Sequence, residues 1–178
     1  MAGTLFYVIG PSGSGKDSLI NYARRKNVDG RILFAHRYIT RPTGGHENHV
    51  VLSDAEFARR SALGFFALEW ASHSLHYGIG VEIDLWLATG SSVVVNGSRS
   101  YLATALKRYP ELRIIVIDTE PAILKARLTA RGREGSSEIE KRITINRSWR
   151  PPAGAHFVTI DNSGDLPAAG ERILRAFQ

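Results

Sequence analysis

Short apolar runs alternate along this chain with amphipathic stretches. Residues 5–9 (LFYVI) are apolar, β-branched or aromatic throughout, and the run stops at Gly10-Pro11. A run with no polar alternation predicts a strand buried on both faces, as in a parallel sheet. Residues 92–95 (SVVV), closed by Asn96-Gly97, and 112–117 (LRIIVI) repeat the signal, with 32–35 a weaker copy and 157–160 the last strand. Helical spacing predicts helices over 16–26, 81–88, 101–109, 121–132, 137–147 and 166–177, and Pro121 suits a first helical position because its missing N–H has no partner there anyway. Ser53-Asp54-Ala55-Glu56 opens a further helix, with Ser53 as N-cap and Glu56 three residues on. Residues 65–70 read as a short strand or turn, while 40–48 and 73–80 read as loops.

Strands that alternate with helices predict an α/β chain: a three-layer P-loop type of fold, with a parallel sheet flanked by helices on both faces. With 178 residues and no dividing linker, 1–178 is expected to form a single domain. Hydrophobic residues at 43% and charged residues at 22% are ordinary for a globular protein. No apolar run reaches the ~20 residues that span a membrane, and the N-terminus lacks a basic leader, so a cytoplasmic location is expected. The absence of cysteine excludes disulfides, thiolate metal sites and cysteine nucleophiles. A net charge of +6 suits anionic partners. The arginines are dispersed beside glycine turns and along helices, which favours small phosphates over a nucleic-acid surface.

Chemistry concentrates at the first strand–helix junction. Gly10-Pro11-Ser12-Gly13-Ser14-Gly15-Lys16 fits G-x-x-x-x-G-K between a strand and a helix, the context that the phosphate-loop motif requires. Glycines let backbone N–H groups turn toward phosphate oxygens, the helix adds its positive end, and Lys16 neutralises β/γ-phosphate charge. The motif implies ATP as donor and Mg2+ as its companion. Ser or Thr is expected after the lysine; Asp17 stands there, with Ser18 behind it. Asp17 is either a direct magnesium ligand or an acidic residue that suits the first helical turn.

Taken with Thr40-Arg41, Glu47, FFALE at 65–69, Tyr77-Gly78, Arg127-Leu128 with Arg131-Gly132, Arg142 and Asp161-Asn162, the chain resembles the guanylate-kinase-like branch of nucleoside monophosphate kinases along nearly its whole length. The resemblance implies that 36–80 binds the acceptor, with Arg41 and Tyr77 on its phosphate, and that 131–140 forms a lid over ATP. It further implies that Arg127, Arg131 and Arg142, with Arg133, neutralise the transferring phosphoryl group, and that Asn162 borders the adenine site. Four positions depart from that pattern: Arg37 replaces a base-reading Ser, Ile79 a base-reading Thr, His49 a phosphate-binding Tyr, and Asn96 an acidic residue. An arginine prefers carboxylate or phosphate to a base edge, so the base pocket reads as a second anion pocket.

This combination, with GPSGSGKDSL, RYITRP, GGHENHVVLS, ALEWASHSLHYGIG and VVVNGSR, resembles the ribose 1,5-bisphosphate phosphokinases of bacterial phosphonate utilisation. That implies conversion of a phosphosugar acceptor, ribose 1,5-bisphosphate, to 5-phosphoribosyl diphosphate with release of ADP, and leaves room for a homodimer. Arg37 is then expected on the second phosphate, His49 and Asn96 in the substrate pocket, and Glu69 on sugar hydroxyls. His49 as a roleless loop residue and Glu69 as a structural acid remain the alternatives. The rival functions are a true guanylate kinase and a non-catalytic guanylate-kinase-like binding module. The histidines show no metal-ligand spacing, and no Ser-His-Asp or paired-carboxylate constellation stands out.

Overall fold

The computed structural model describes residues 3–27, 30, 32–41, 48–72, 74–132, 135–152 and 154–178, with the side chain of residue 147 outside that set. In chain order the elements are β1 (Leu5–Ile9), α1 (Lys16–Lys26), β2 (Ile32–Phe34), β3 (Arg37–Ile39), β4 (His49–Val51), α2 (Asp54–Ala62), β5 (Phe66–Ser72), β6 (Leu75–Gly80), α3 (Glu82–Ala88), β7 (Ser92–Asn96), α4 (Leu102–Arg108), β8 (Arg113–Asp118), α5 (Pro121–Arg131), α6 (Ser136–Ser148), β9 (Phe157–Asp161) and α7 (Leu166–Ala176).

The uninterrupted apolar run of β1 lies at the centre of a five-stranded parallel sheet, in the order β2-β7-β1-β8-β9. Successive strand residues point to opposite faces. Leu5, Tyr7 and Ile9 therefore join Ile83 of α3 and Leu102 and Ala105 of α4, while Phe6 and Val8 join Leu19, Ile20 and Ala23 of α1 and Ala169 and Ile173 of α7. Each such fully buried aliphatic or aromatic side chain contributes about 1.5–3 kcal/mol of transfer free energy, so both faces of β1 are committed to packing. The α1 and α7 helices approach closely at Gly170, where a Cβ would meet the Tyr22 ring at 2.4 Å.

The predicted parallel sheet and its flanking helices are thus present, and 65–70 falls in a strand as one of its two readings expected, but the loop expected at 73–80 is mostly strand. Phe66–Ser72 and Leu75–Gly80 pair as the antiparallel strands β5 and β6, with Ser74 before β6 at φ +61°. Gly78 and Gly80 make this segment look like a loop. In the fold, Gly78 lies under the Phe66 ring, where a Cβ would come within 2.6 Å of it, so cross-strand packing requires the glycine. β3 and β4 border the predicted 40–48 loop and complete a second sheet, β4-β3-β6-β5. At three residues each they are too short to show a period. Glu47 and the other residues of 42–47, as well as Arg133, lie outside the described residues.

The α2 cap forms as predicted, with Ser53 Oγ accepting from the Glu56 N–H at 3.1 Å, while the Glu56 carboxylate turns to Arg60 at 2.9 Å. Helices α5 and α6 pack on each other through Leu124, Leu128, Ile139 and Ile143, a cluster separate from the two main cores. Among the described residues no helix is long and apolar enough to cross a membrane.

Candidate active site

β1 delivers the chain at Ile9 into the glycine loop, and α1 begins at Lys16. The loop needs left-handed backbone at Gly13 and Gly15, both with φ +85°. A Cβ on Gly15 would also fall 2.4 Å from Asn162 Nδ2. The Ser14 carbonyl anchors the far side of the loop, accepting from Asn162 Nδ2 at 2.7 Å, Thr119 Oγ1 at 3.3 Å and Arg127 at 3.5 Å. Residues just past β8 and β9 thereby hold the loop against the C-terminal edge of the sheet, where α/β folds bind ligands.

Lys16 Nζ donates to the carbonyls of Gly10 at 2.8 Å and Pro11 at 2.9 Å. Burial lowers its pKa to about 8; Asp17 opposes the shift, while the charges of Arg37, Arg99 and Arg131 add to it. Asp17 Oδ1 accepts from Asn96 Nδ2 at 2.7 Å and from Arg37 at 3.3 Å. The Arg37 side chain is only 13% exposed and lies over the Tyr77 ring, 5.9 Å from its centroid. Tyr77 in turn stacks on Trp70, with centroids 5.5 Å apart and planes 3° off parallel.

The four departures from the guanylate pattern are physically joined. Arg37 lies opposite Ile79 on one side and His49 on the other, so three of them form one row across β6, β3 and β4. The fourth, Asn96, shares a carboxylate oxygen of Asp17 with Arg37.

A cavity of about 840 Å³ opens over the loop. Of the predicted site residues it gathers Gly10, Ser12, Gly13, Gly15, Lys16, Asp17, Ser18, Arg37, Arg41, Tyr77, Arg127, Arg131, Arg142 and Asn162. Arg127 is bound to the Asn162 carbonyl at 3.0 Å, and Arg131 to Ser12 Oγ at 3.3 Å. Pro11 and Ser14 support the loop from behind.

Three expected substrate contacts do not reach the wall. Asn96 is one hydrogen bond behind it, through Asp17. His49 lies in the row beyond Arg37, away from the cavity lining. Glu69 faces α2, where its Oε1 accepts from Ser61 Oγ at 3.0 Å; strand alternation turns it away from its neighbour Trp70, which does line the cavity.

Arg99, Asn146 and Trp149 line the cavity and were not singled out as site residues. Asn146 lies four residues after Arg142 on the same face of α6, and Trp149 caps that helix seven residues after Arg142, so helical spacing was the available signal. Arg99 follows the C-terminal end of β7.

The lining residues include seven cations, Lys16, Arg37, Arg41, Arg99, Arg127, Arg131 and Arg142, and one carboxylate, Asp17. Such a surplus among the described lining residues suits anionic ligands. Loop amides, a buried lysine and facing helix arginines at a sheet's C-terminal edge suit polyphosphate binding and phosphoryl transfer. Fold and site together define a kinase of the P-loop class.

Comparison with known proteins narrows the class. No family model matches the chain. The curated ribose 1,5-bisphosphate phosphokinase PhnN of Burkholderia pseudomallei is 56% identical over 172 residues, covering 97% of this chain and 93% of that protein. The protein of the same name from Thiobacillus denitrificans is 52% identical over 175 residues, covering 97% and 92%. The chain belongs to the ribose 1,5-bisphosphate phosphokinase family. Among solved structures, a guanylate kinase from Anaplasma phagocytophilum superposes with a TM-score of 0.73 at 14% identity, covering 99% of this chain and 85% of that one. A sugar kinase from Janibacter superposes at 0.55 with 18% identity, covering 97% and 93%. At these identities the structural likeness speaks for the fold alone.

Proposed function

We infer that this kinase transfers the γ-phosphoryl group of ATP to the 1-phosphate of ribose 1,5-bisphosphate, giving 5-phosphoribosyl diphosphate and ADP. The observation that carries the reading is the cavity whose described lining has seven cations and one carboxylate, and whose acceptor side holds Arg37 where a guanylate kinase reads a base. Two phosphate monoesters bring about −3 to −4 at pH 7, a charge that this side can absorb and that a nucleoside monophosphate does not supply. Identities above 50% with relatives of that name support the same acceptor.

The residues divide the work by position. The loop amides and Lys16 cradle the β- and γ-phosphates; on nucleotide binding, Lys16 trades two loop carbonyls for phosphate oxygens, a stronger charge-assisted contact. Arg41 holds the reacting phosphate and Arg37, braced by Asp17, the distant one. An oxygen of the acceptor's 1-phosphate bonds to the γ-phosphorus as the bond to the bridging oxygen of ADP breaks. Arg127, Arg131 and Arg142 neutralise the charge on the moving group, so positioning and electrostatics provide most of the rate.

The resemblance gives 131–140, of which 133–134 lie outside the described residues, the part of a lid that excludes water and protects ATP from hydrolysis. Asp17 fits a magnesium site, since Mg2+ is commonly held by one or two carboxylates together with substrate phosphates. The metal would supply further charge neutralisation there. The reaction would serve phosphonate catabolism in the cytoplasm.

An assay that identifies products tests the reading. With ATP, ribose 1,5-bisphosphate is converted to 5-phosphoribosyl diphosphate and GMP is left essentially unphosphorylated. Robust formation of GDP would overturn the choice of acceptor.

A further inference from the structure

Arg99 has a mounting and a setting that set it apart from the other cations of the cavity. The turn that carries it is clamped to the sheet core. Gly97 lies so close to the Tyr7 ring that a Cβ would stand 2.2 Å from it. The Tyr7 hydroxyl accepts from the Ser98 N–H at 3.0 Å and donates to the Ser98 carbonyl at 3.2 Å. Burial raises the pKa of that hydroxyl to about 12, so it keeps its proton and both bonds.

From this platform the half-buried Arg99 side chain enters the cavity. Its guanidinium donates to Asn146 Oδ1 and lies over the Trp149 ring, 5.3 Å from the centroid. Among the described residues no carboxylate lies within ion-pair distance of it. Arg37, by contrast, is paired with Asp17. Arg99 nevertheless stands near enough to the transfer centre for its charge to act on Lys16. A rigidly based cation whose direct contacts among the described residues are a neutral amide and an indole, with the Asp118 carboxylate acting on it from further off, is arranged to receive an anion.

We propose that Arg99 is a further catalytic residue of this kinase: on acceptor binding its guanidinium leaves Asn146 for the oxygens of the phosphate that receives the γ-phosphoryl group. The proposal rests on the acceptor reading above. Exchange of a neutral amide oxygen for phosphate oxygens is favourable because the guanidinium then meets a formal negative charge, and its planar fork can engage two phosphate oxygens at once. The guanidinium then offsets negative charge as the acceptor oxygen and γ-phosphorus approach. Asn146 and Trp149 are positioning residues that act through Arg99. Asn146 shares its helix face with Arg142 and Trp149 caps the same helix, so release of Arg99 accompanies the engagement of α6 with the substrates.

Three variants separate this role from a simple tether between α6 and the sheet. Arg99→Met lowers kcat for ribose 1,5-bisphosphate about a hundredfold with the ATP KM nearly unchanged, comparable to loss of one preorganised donor. Asn146→Ala, which removes only the resting partner, costs a few-fold at most. Asn146→Asp, which gives Arg99 a competing carboxylate, lowers kcat about as far as Arg99→Met while leaving the melting temperature equal or higher. A tether predicts equal losses for Arg99→Met and Asn146→Ala, with Asn146→Asp tolerated, and that pattern would overturn the proposal.

Calorimetric binding of inorganic phosphate to enzyme whose phosphate loop is filled by a non-hydrolysable ATP analogue gives a readout independent of the acceptor's identity. Arg99→Met weakens it at least tenfold, and wild-type affinity in that variant overturns the role. A wild-type enzyme that ignores ribose 1,5-bisphosphate, with the phosphate-binding defect intact, sinks the acceptor reading and leaves Arg99 in place.

Discussion

On the proposed reading, the two sides of the cavity recognise anions by different means. At the first strand–helix junction the contacts come from backbone amides, made possible by left-handed glycines and supported by Thr119, Asn162 and Arg127 behind Ser14. In the second sheet they come from side chains, with Arg37 set between Ile79 and His49 and braced by Asp17. A backbone cradle depends on conformation and serves any polyphosphate. A side-chain pocket changes its ligand when a few residues change, which is how one fold can serve a guanylate kinase and this family alike.

The largest expected effect attacks the cradle. Lys16→Met removes the cation that follows the γ-phosphate and should lower kcat by about a thousandfold or more, measured by ADP release, without unfolding the chain.

Next comes pH, which also acts through Lys16. Its folded pKa of about 8 lies below its ordinary 10.5. Above about 8 the free enzyme loses the ammonium, so ATP affinity should fall by up to roughly tenfold per pH unit, seen in calorimetric titrations. Stability moves the other way. The unfolded chain holds that proton up to its ordinary value, so this group's contribution to stability rises as pH increases from about 8 to 10.5. Thermal melts across that window should show the gain shrink in Lys16→Met.

Asn162→Ala tests the support behind the cradle. It leaves the Ser14 carbonyl without its shortest contact and should cost about 1–3 kcal/mol, with a melting shift of several degrees and a higher ATP KM. The smallest effect belongs to the acceptor side: Tyr77→Phe keeps the stack on Trp70 and should raise the acceptor KM by only a few-fold.

The same contrast explains how much was legible in the sequence. A phosphate loop is written in consecutive residues with a strand before it and a helix after it, so Gly10 to Lys16 could be read directly. The parallel sheet announced itself because strands such as β1 and β7 are apolar without interruption. The second sheet was obscured because β3 and β4 are three residues long and the glycines of β6 answer to the Phe66 ring across the hairpin. Arg37 was legible as a substitution in a known pattern. That Glu69 turns toward Ser61, and that Asn96 works through Asp17, depend on which face of a strand each residue takes, and that needed the register. Arg99 went unassigned because its partners, Asn146 and Trp149, lie about fifty residues further along the chain.

The claim that the former base pocket now holds a second phosphate is tested most directly with two acceptors and one variant. The quantity is the ratio of kcat/KM for ribose 1,5-bisphosphate to that for ribose 1-phosphate, in wild type and in Arg37→Ala. The account predicts a ratio of about a hundred or more in wild type, as for a charge-assisted bidentate contact, collapsing toward unity in the variant. A ratio that survives the loss of Arg37 unchanged would contradict it.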